Sequence, residues 1–339
     1  MSLPFRPKCQ PLQLGPLPYI DVTAAWNAVL QYTPELPALP LLTREGETPA
    51  ALAAEGFAGI SINQAAVTID RAAALQGLDA LYADYLRGTT TRQMLDLAAL
   101  PRLVHIEGAL RRVQALFGLV LGPISLAQLI VDEQAEPIIN DHELLDGLAK
   151  HLFLRRLWLK SMLERAGKAA VVWVYEPYLN VVSSTFSSQP PDAIMSALDQ
   201  TLGQDQPRAL WLAKAETILA LPEHWQIDLL GLPLPLPEQI ELIGPRIVEQ
   251  IAQKRSIAWG IVPATVEGLH SATAGRLAAR FESWLRAMET LNVSRADVLT
   301  SSVIMPEDSL AYLERGDAER ALALTTELSS LIRQSYGLD

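Results

Sequence analysis

One cysteine, Cys9, stands in a chain of 339 residues, so internal disulfides and any thiolate-rich zinc centre are excluded. Basic residues are few: 27 Lys and Arg face 38 Asp and Glu, a net charge of −11. No Lys/Arg-rich run occurs, which argues against a nucleic-acid partner. No segment approaches the roughly 18 consecutive apolar residues of a membrane span. The start, Met1 to Lys8, has no apolar stretch of the secretory type. The expectation is a soluble cytoplasmic protein that engages neither membrane nor nucleic acid. Glycine-rich phosphate loops of the Gly-x-Gly-x-x-Gly or Gly-x4-Gly-Lys-Ser/Thr type are also missing.

Half of the residues are hydrophobic, and mean hydropathy is +0.17. That is enough for a large core, in one large barrel or two medium domains. The most informative stretch is Ser256-Ile257-Ala258-Trp259-Gly260-Ile261-Val262-Pro263-Ala264-Thr265-Val266-Glu267. It begins as an apolar run without alternation, the mark of a strand buried on both faces. It ends in the composition of a loop at a strand's carboxyl end, where parallel α/β proteins carry their chemistry. Leu116–Leu121 followed by Gly122-Pro123-Ile124-Ser125, and Ala169–Val174 followed by Tyr175-Glu176-Pro177-Tyr178-Leu179, have the same form. Asp21 reads as the cap of a helix to about Gln31. Further helices are expected over 47–55, from Thr68 to about Leu86, from Thr91 to about Leu97, from His142 to Ala166, and over 190–202, 238–253, 272–291 and 317–336.

Candidate strands fall near 38, 59, 103, 117, 171, 211, 228, 258 and 299, and from residue 100 on they alternate with helices. That is the pattern of a parallel sheet. The fold class expected is α/β: a single-domain (β/α)8 TIM barrel over residues 21–339, preceded by a Pro-rich extension over 1–20. A doubly wound open sheet is the alternative.

The loops line up with one known group. Leu14-Gly15-Pro16-Leu17-Pro18-Tyr19 resembles a GSLPH-type motif, and Pro34 to Leu42 a PEIPFWPQL segment. Gly122 to Ser125 resembles a GPxT loop, Tyr175 to Leu179 a DEPYL loop, and Ile257 to Pro263 is similar to a WGIVP strand without a gap. These motifs, in this order, resemble the short single-barrel relatives of the C-terminal domain of cobalamin-independent methionine synthase. Their superfamily also holds uroporphyrinogen decarboxylase and corrinoid-dependent methyltransferases. The resemblance implies a (β/α)8 barrel and a zinc ion at the carboxyl ends of the later strands. That zinc keeps the homocysteine sulfur as a thiolate for attack on a methyl donor. The donor implied is methyltetrahydrofolate or, in short forms, a methylated corrinoid protein, which makes a corrinoid protein a candidate partner.

The chain departs from the family at the chemistry. After the strand Ala209–Ala213 the family has a His-Cys-rich motif, but here stands Trp211-Leu212-Ala213-Lys214-Ala215-Glu216-Thr217. Asp308 takes the place of a later zinc-binding cysteine, Tyr175 that of an acidic residue that holds the substrate amino group, and Tyr19 that of the GSLPH histidine. No family-type zinc is therefore expected, and no cofactor is certain. Lys214, Glu216 and Glu176 are the candidate catalytic groups, Lys as an anion anchor and Glu as acid or base. Tyr19, Tyr175, Trp259, Glu267, Asp308 and Ser125 are the candidate substrate-binding residues. Asp308 alternatively caps a helix starting at Ser309, Trp259 is alternatively core, and His270 shares a loop with Glu267. His105 and Glu107, alternate residues on a candidate strand, would share a face but lack a third ligand. The function expected is a methyltransferase-family barrel that has lost its zinc and homocysteine site. It would bind a small molecule, pterin, corrinoid or amino-acid-like, at its mouth. The alternatives are a non-catalytic pseudoenzyme that binds a partner, and a metal-free decarboxylase.

Overall fold

The computed structural model describes residues 3–43, 47–63, 66–106, 108–180, 190–205 and 207–338. In chain order the elements are β1 (Gln10–Pro11), β2 (Pro16–Leu17), α1 (Val22–Tyr32), β3 (Leu41–Leu42), α2 (Pro49–Ala54), β4 (Ile60–Asn63), β5 (Ala66–Ile69) and α3 (Arg71–Arg87). Then come β6 (Ala115–Leu121), α4 (Pro123–Leu129), β7 (Ile130–Val131), α5 (His142–Glu164), β8 (Ala169–Glu176), α6 (Pro191–Leu202), β9 (Ala209–Leu212) and β10 (Leu229–Pro233). The chain ends with α7 (Ile240–Ala252), β11 (Ser256–Val262), α8 (Val266–Ser271), α9 (Ala274–Glu289), α10 (Arg295–Ser301), β12 (Ser302–Pro306) and α11 (Arg315–Tyr336).

Seven strands form one parallel sheet in the order β1-β12-β11-β10-β9-β8-β6, with helices between successive strands, a TIM-barrel-like arrangement. Beyond its two edges the chain continues to pair: Ala38 bridges Phe117 of β6, and β2 pairs with β3 in parallel. The register aligns Leu121, Tyr175, Trp211, Gly231, Ala258, Val303 and Gln10 as a single row across all seven strands. Paired residues of a parallel ladder share a face. The opposite face meets the helices. There a side chain on Gly118 would come within 2.8 Å of Leu159 of α5, and Trp259 lies against Trp284 of α9, ring centroids 4.4 Å apart. The row containing Tyr175 and Trp211 therefore faces the inside. The inner face is aromatic: Trp173 and Trp211 are both fully buried, and Gly231 makes their room, since a Cβ there would sit 3.0 Å from each ring.

Several expectations change. The strand expected near 103 is a 3-10 turn (Pro101–Ile106) that begins on a proline, which cannot donate to a ladder. This removes the alternate-face argument for His105 and Glu107; Glu107 and the side chain of His105 lie outside the described residues. Val298–Ser301 is the end of α10, capped by Ser294, and the strand begins one residue later at Ser302. Ile60–Asn63 does not join the main sheet but forms an antiparallel pair with β5, which reaches into the segment expected to start a helix at Thr68; α3 starts only after its cap, Asp70. Residues 91–97 hold only a short 3-10 turn.

Within the segment expected as an extension, Gln10–Pro11 join the main sheet beside β12, and Pro16–Leu17 pair with β3. Cys9 N–H donates to Ser302 O (2.6 Å) and Leu12 N–H to Ile304 O (2.9 Å), while Ser329 of α11 donates its hydroxyl to Cys9 O (2.7 Å). Phe5 packs edge-on against Phe117, ring centroids 5.4 Å apart. Prolines scattered through the segment hid it, because a strand needs only alternate N–H groups for any one neighbour. Removing residues 1–14 would expose the edge of β12 and uncover Phe117. We expect the truncated chain to lose cooperative thermal unfolding in near-ultraviolet circular dichroism. A truncated chain that melted cooperatively within about 5 °C of the full one would show the segment to be an appendage.

Candidate functional site

The carboxyl ends of β6, β8, β9, β11 and β12 converge on a small set of polar groups. β6 ends at Leu121; the next residue, Gly122, donates its N–H to Tyr175 O (2.7 Å), and α4 starts directly with Pro123. The first free N–H groups of that helix, those of Ile124 and Ser125, both point at the carboxylate of Glu176, each at 2.9 Å. Ser125 Oγ donates to the same carboxylate (2.5 Å) and accepts from Tyr178 N–H (3.0 Å). Glu176 is thus neither solvated nor idle: it is 1% exposed and acts as the N-terminal cap of α4 from another strand. Burial raises its carboxyl to about 7, against the lowering effect of these three hydrogen bonds.

Gly122 is the residue that permits this. A Cβ at position 122 would lie 2.1 Å from Glu176 Oε1, so any larger residue would push the carboxylate off the helix start.

One residue earlier, Tyr175 turns inward. Its ring stacks on Trp211 of β9 (centroids 4.3 Å apart, planes 28° apart) and its hydroxyl donates to Asp308 Oδ1 (2.9 Å). Burial first, then the charge of Asp308, hold the phenol well above its ordinary range, so Tyr175 stays a neutral donor. Tyr178 and Tyr312, both with exposed rings, are near enough to act on it electrostatically. Asp308 itself is exposed and also accepts from Ser309 N–H (2.7 Å). It does not cap a helix starting at Ser309, because the next helix begins at Arg315.

Beside it, Glu307 accepts from Ala264 N–H (3.3 Å), its own N–H donates to Val262 O (2.9 Å), and burial raises its carboxyl. Gly260 makes this approach possible, since a Cβ there would sit 2.7 Å from Glu307 Cα. The N-terminal segment borders the same region: Gly15, with φ +86°, lies against Ser309, and buried Gln13 donates to Gly15 O (3.0 Å).

The structure brings Tyr175, Asp308, Glu176 and Ser125 together and leaves the other candidates elsewhere. Lys214 is exposed; Glu216 is exposed and accepts from the side chain of Gln239. Glu267 and His270 are exposed on α8. Tyr19 donates to Glu319 (2.8 Å) under the guanidinium of Arg315, next to the start of α11. Trp259 is fully buried between β11 and α9, its indole N–H held by Ser302 Oγ (2.9 Å), on the face away from Tyr175. Glu307 and Gln13 were not singled out from the sequence. For Glu307 the signal was its place in the strand-end stretch with Asp308; for Gln13 there was none.

The zinc that the resemblance implies calls for several His, Cys, Asp or Glu side chains facing one point. The inward positions nearest Asp308 carry Tyr175 and Trp211, and no group of three His, Cys, Asp or Glu able to hold a metal exists among the described residues. Cys9 is buried, with its thiol donated to Leu299 O (3.4 Å), and burial pushes it far above the range of a thiolate ligand.

Against known proteins, no family model matches the chain, and no curated protein does. Solved structures do. A methyltransferase from Methanosarcina mazei is similar over 95% of this chain and 93% of its own, at 18% identity and a TM-score of 0.57. A B12-independent methionine synthase from Shewanella sp. W3-18-1, in complex with selenomethionine, covers 69% of this chain and 67% of its own at 13% identity and a TM-score of 0.45. A putative vitamin-B12-independent methionine synthase from Listeria monocytogenes covers 70% of each chain at 11% identity and a TM-score of 0.46. The fold of the first is shared along nearly the whole chain; the other two are partial likenesses. No described helix is long and apolar enough to cross a membrane.

Two predictions follow from the clamp. Gly122→Ala should destabilise the fold by about 2–4 kcal/mol in urea unfolding, because it separates Glu176 from two buried N–H donors. The second concerns pH. The folded carboxyl binds its proton up to about 7, whereas in the unfolded chain it does so only to ~4.3. The folded state therefore holds the extra proton between these values, and stability falls as pH rises from about 5 through about 7 before levelling off. Glu176→Gln should lower stability at pH 5 yet remove up to ~1.4 kcal/mol per pH unit of that slope. An unchanged slope would show that Glu176 is not the titrating group.

Proposed function

We propose that the chain is a methyltransferase-type barrel whose mouth binds a small organic molecule without a family-type zinc ion. Two edge pairings support a closed eight-stranded ring, with 10–17 and 37–42 as the two strands that complete it: β2 with β3, and Ala38 with Phe117. The shared fold with the methyltransferase of M. mazei supports the class of reaction. The observation that carries the reading is the Tyr175–Asp308 pair over Trp211, at strand ends where the family resemblance implies metal ligands.

This arrangement suits a flat or amine-bearing ligand. The Tyr175–Trp211 stack is an apolar floor, Asp308 and Glu307 accept N–H groups, and the rings of Tyr178 and Tyr312 offer faces to a planar ring or a cation. A pterin, which is planar and rich in N–H donors, meets all three requirements, so a folate-type methyl donor is favoured over a corrinoid. In such a transfer the acceptor's lone pair bonds to the methyl carbon as the nitrogen–methyl bond of the donor breaks; the electron pair of that bond stays on the pterin nitrogen, which takes up a proton from solvent. Asp308 is the exposed carboxylate placed to take the proton that leaves the acceptor. Glu176 serves by positioning, since its hydrogen bonds fix the backbone that carries Tyr175. Lys214 and Glu216 stay outside this scheme.

One observation favours a second reading, a barrel that binds ligand or partner without turnover: the inner face is filled by the large rings of Trp173, Trp211 and Tyr175.

Titration with 5-methyltetrahydrofolate, cobalamin and homocysteine, followed by tryptophan fluorescence and calorimetry, tests the proposal. The expected result is folate binding that survives metal chelation and weakens at least tenfold in Asp308→Asn. Stoichiometric zinc in the purified protein, with homocysteine binding lost on chelation, would overturn it.

A further inference from the structure

Arg155 of α5 is 1% exposed, yet it has no carboxylate partner among the described residues. Its Nη2 donates to Glu55 O, and its Nε and Nη1, both buried, have no hydrogen-bond partner at all. This is unlike its neighbour Arg156, equally buried, which is paired with Asp205 and bonded to Thr201 O. The charged groups around Arg155 do not neutralise it. Glu55 attracts it, but its carboxylate is exposed and forms no ion pair with it.

His151, one turn earlier on the same helix, is fully buried and neutral. Its Nε2 donates to Ala53 O (3.1 Å), and burial together with Arg155 lowers its pKa to about 3. An unpaired guanidinium in an apolar interior is among the costliest groups a fold can hold, and removal of a proton is a poor escape for arginine. Burial here lowers it only to about 10.

Arg155 lines a cavity between α5, α2 and the start of the sheet, whose other walls include Leu39, Leu52, Leu95, Leu97 and Leu121. The open space is about 20 Å³, the size of one or two water molecules. Water there would meet hydrocarbon on nearly every side, and it brings no charge.

We propose that this cavity is a binding site for a small monovalent anion, a halide or a carboxylate head, held by the two unpartnered N–H groups of Arg155. The site lies beside Leu119, Val120 and Leu121 of β6, with Leu159 of α5 and Leu52 of α2 among its other walls. An anion there supplies the missing counter-charge and ties α5 to α2. The leucine walls set the selectivity: large or heavily hydrated anions do not enter.

The test uses the full chain and thermal unfolding at constant ionic strength, with sodium gluconate, too large for the cavity, as the balancing salt. Replacing gluconate by 100 mM chloride or acetate should raise Tm by at least about 2 °C. In Arg155→Met, which keeps the length of the side chain without its charge, the two salts should act alike. If that variant does not fold, line broadening of chloride-35 NMR by the wild-type chain, reversed by acetate but not by gluconate, gives the same answer. Equal effects of chloride and acetate would identify a site for any small monovalent anion, and an effect of chloride alone a halide site. No difference between chloride, acetate and gluconate in Tm, or the same difference in Arg155→Met, would overturn the proposal.

Discussion

A single buried carboxylate holds the candidate site together. Glu176 ends β8, and its oxygens take the first N–H groups of α4, which follows β6. The contact joins two adjacent βα units at the level where their strands stop. Its neighbours follow from it. Gly122 must lack a side chain so that Glu176 can reach. Ser125 must carry a hydroxyl so that the second oxygen and the N–H of Tyr178 are both satisfied. Tyr175, the preceding residue of a strand whose side chains alternate, is then forced inward toward Asp308. The strength of the clamp is a balance: burial opposes the charge, three hydrogen bonds and the start of a helix favour it, and burial prevails.

The balance explains why this glutamate could be found in the sequence but not understood there. Its place after an apolar run marked it, since a carboxylate at a strand end rarely serves packing. Whether it faced water or an amide pair depends on where Gly122 lies, fifty-four residues earlier, and no local pattern gives that. Asp308 was legible for the same reason as Glu176, and its partner Tyr175 lay in the same kind of loop. Trp259 was harder. A strand buried on both faces has no alternation to reveal which residues point in, and β11 is buried throughout. Its register with β12 and β10 settles the matter by pairing Trp259 with Ile304 and Leu232, on the helix side.

The same limit acts on the fold. The central strands were plain because parallel strands covered by helices are long and apolar. The N-terminal paired segments were obscured because proline breaks a run without ending a strand that pairs through only some of its N–H groups. At Val298–Ser301, apolar β-branched residues suggested a strand, but the Ser294 hydroxyl caps a helix first, and the strand takes over only at Ser302. In each case the sequence carried the composition of the element and lacked the contact that decides its state.

Buried polar groups divide this protein into two kinds, and the division is informative. Glu176, Ser125, Tyr175 and Arg156 have their hydrogen bonds filled by the chain itself, so they fix structure whatever else binds. Gln10, Gln13, Trp173, Trp211 and Arg155 each bury at least one atom with no partner. Four of these lie in or beside the inner face of the sheet, and the fifth beside β6. Folding alone gives no return for an unpaired donor or acceptor in such places, and each costs about 1–3 kcal/mol, more for a charge. The indole and amide atoms on and beside the inner face of the sheet carry no net charge, so water or a neutral group satisfies them. The guanidinium of Arg155 carries a charge, and at the site proposed for it an anion would balance that charge.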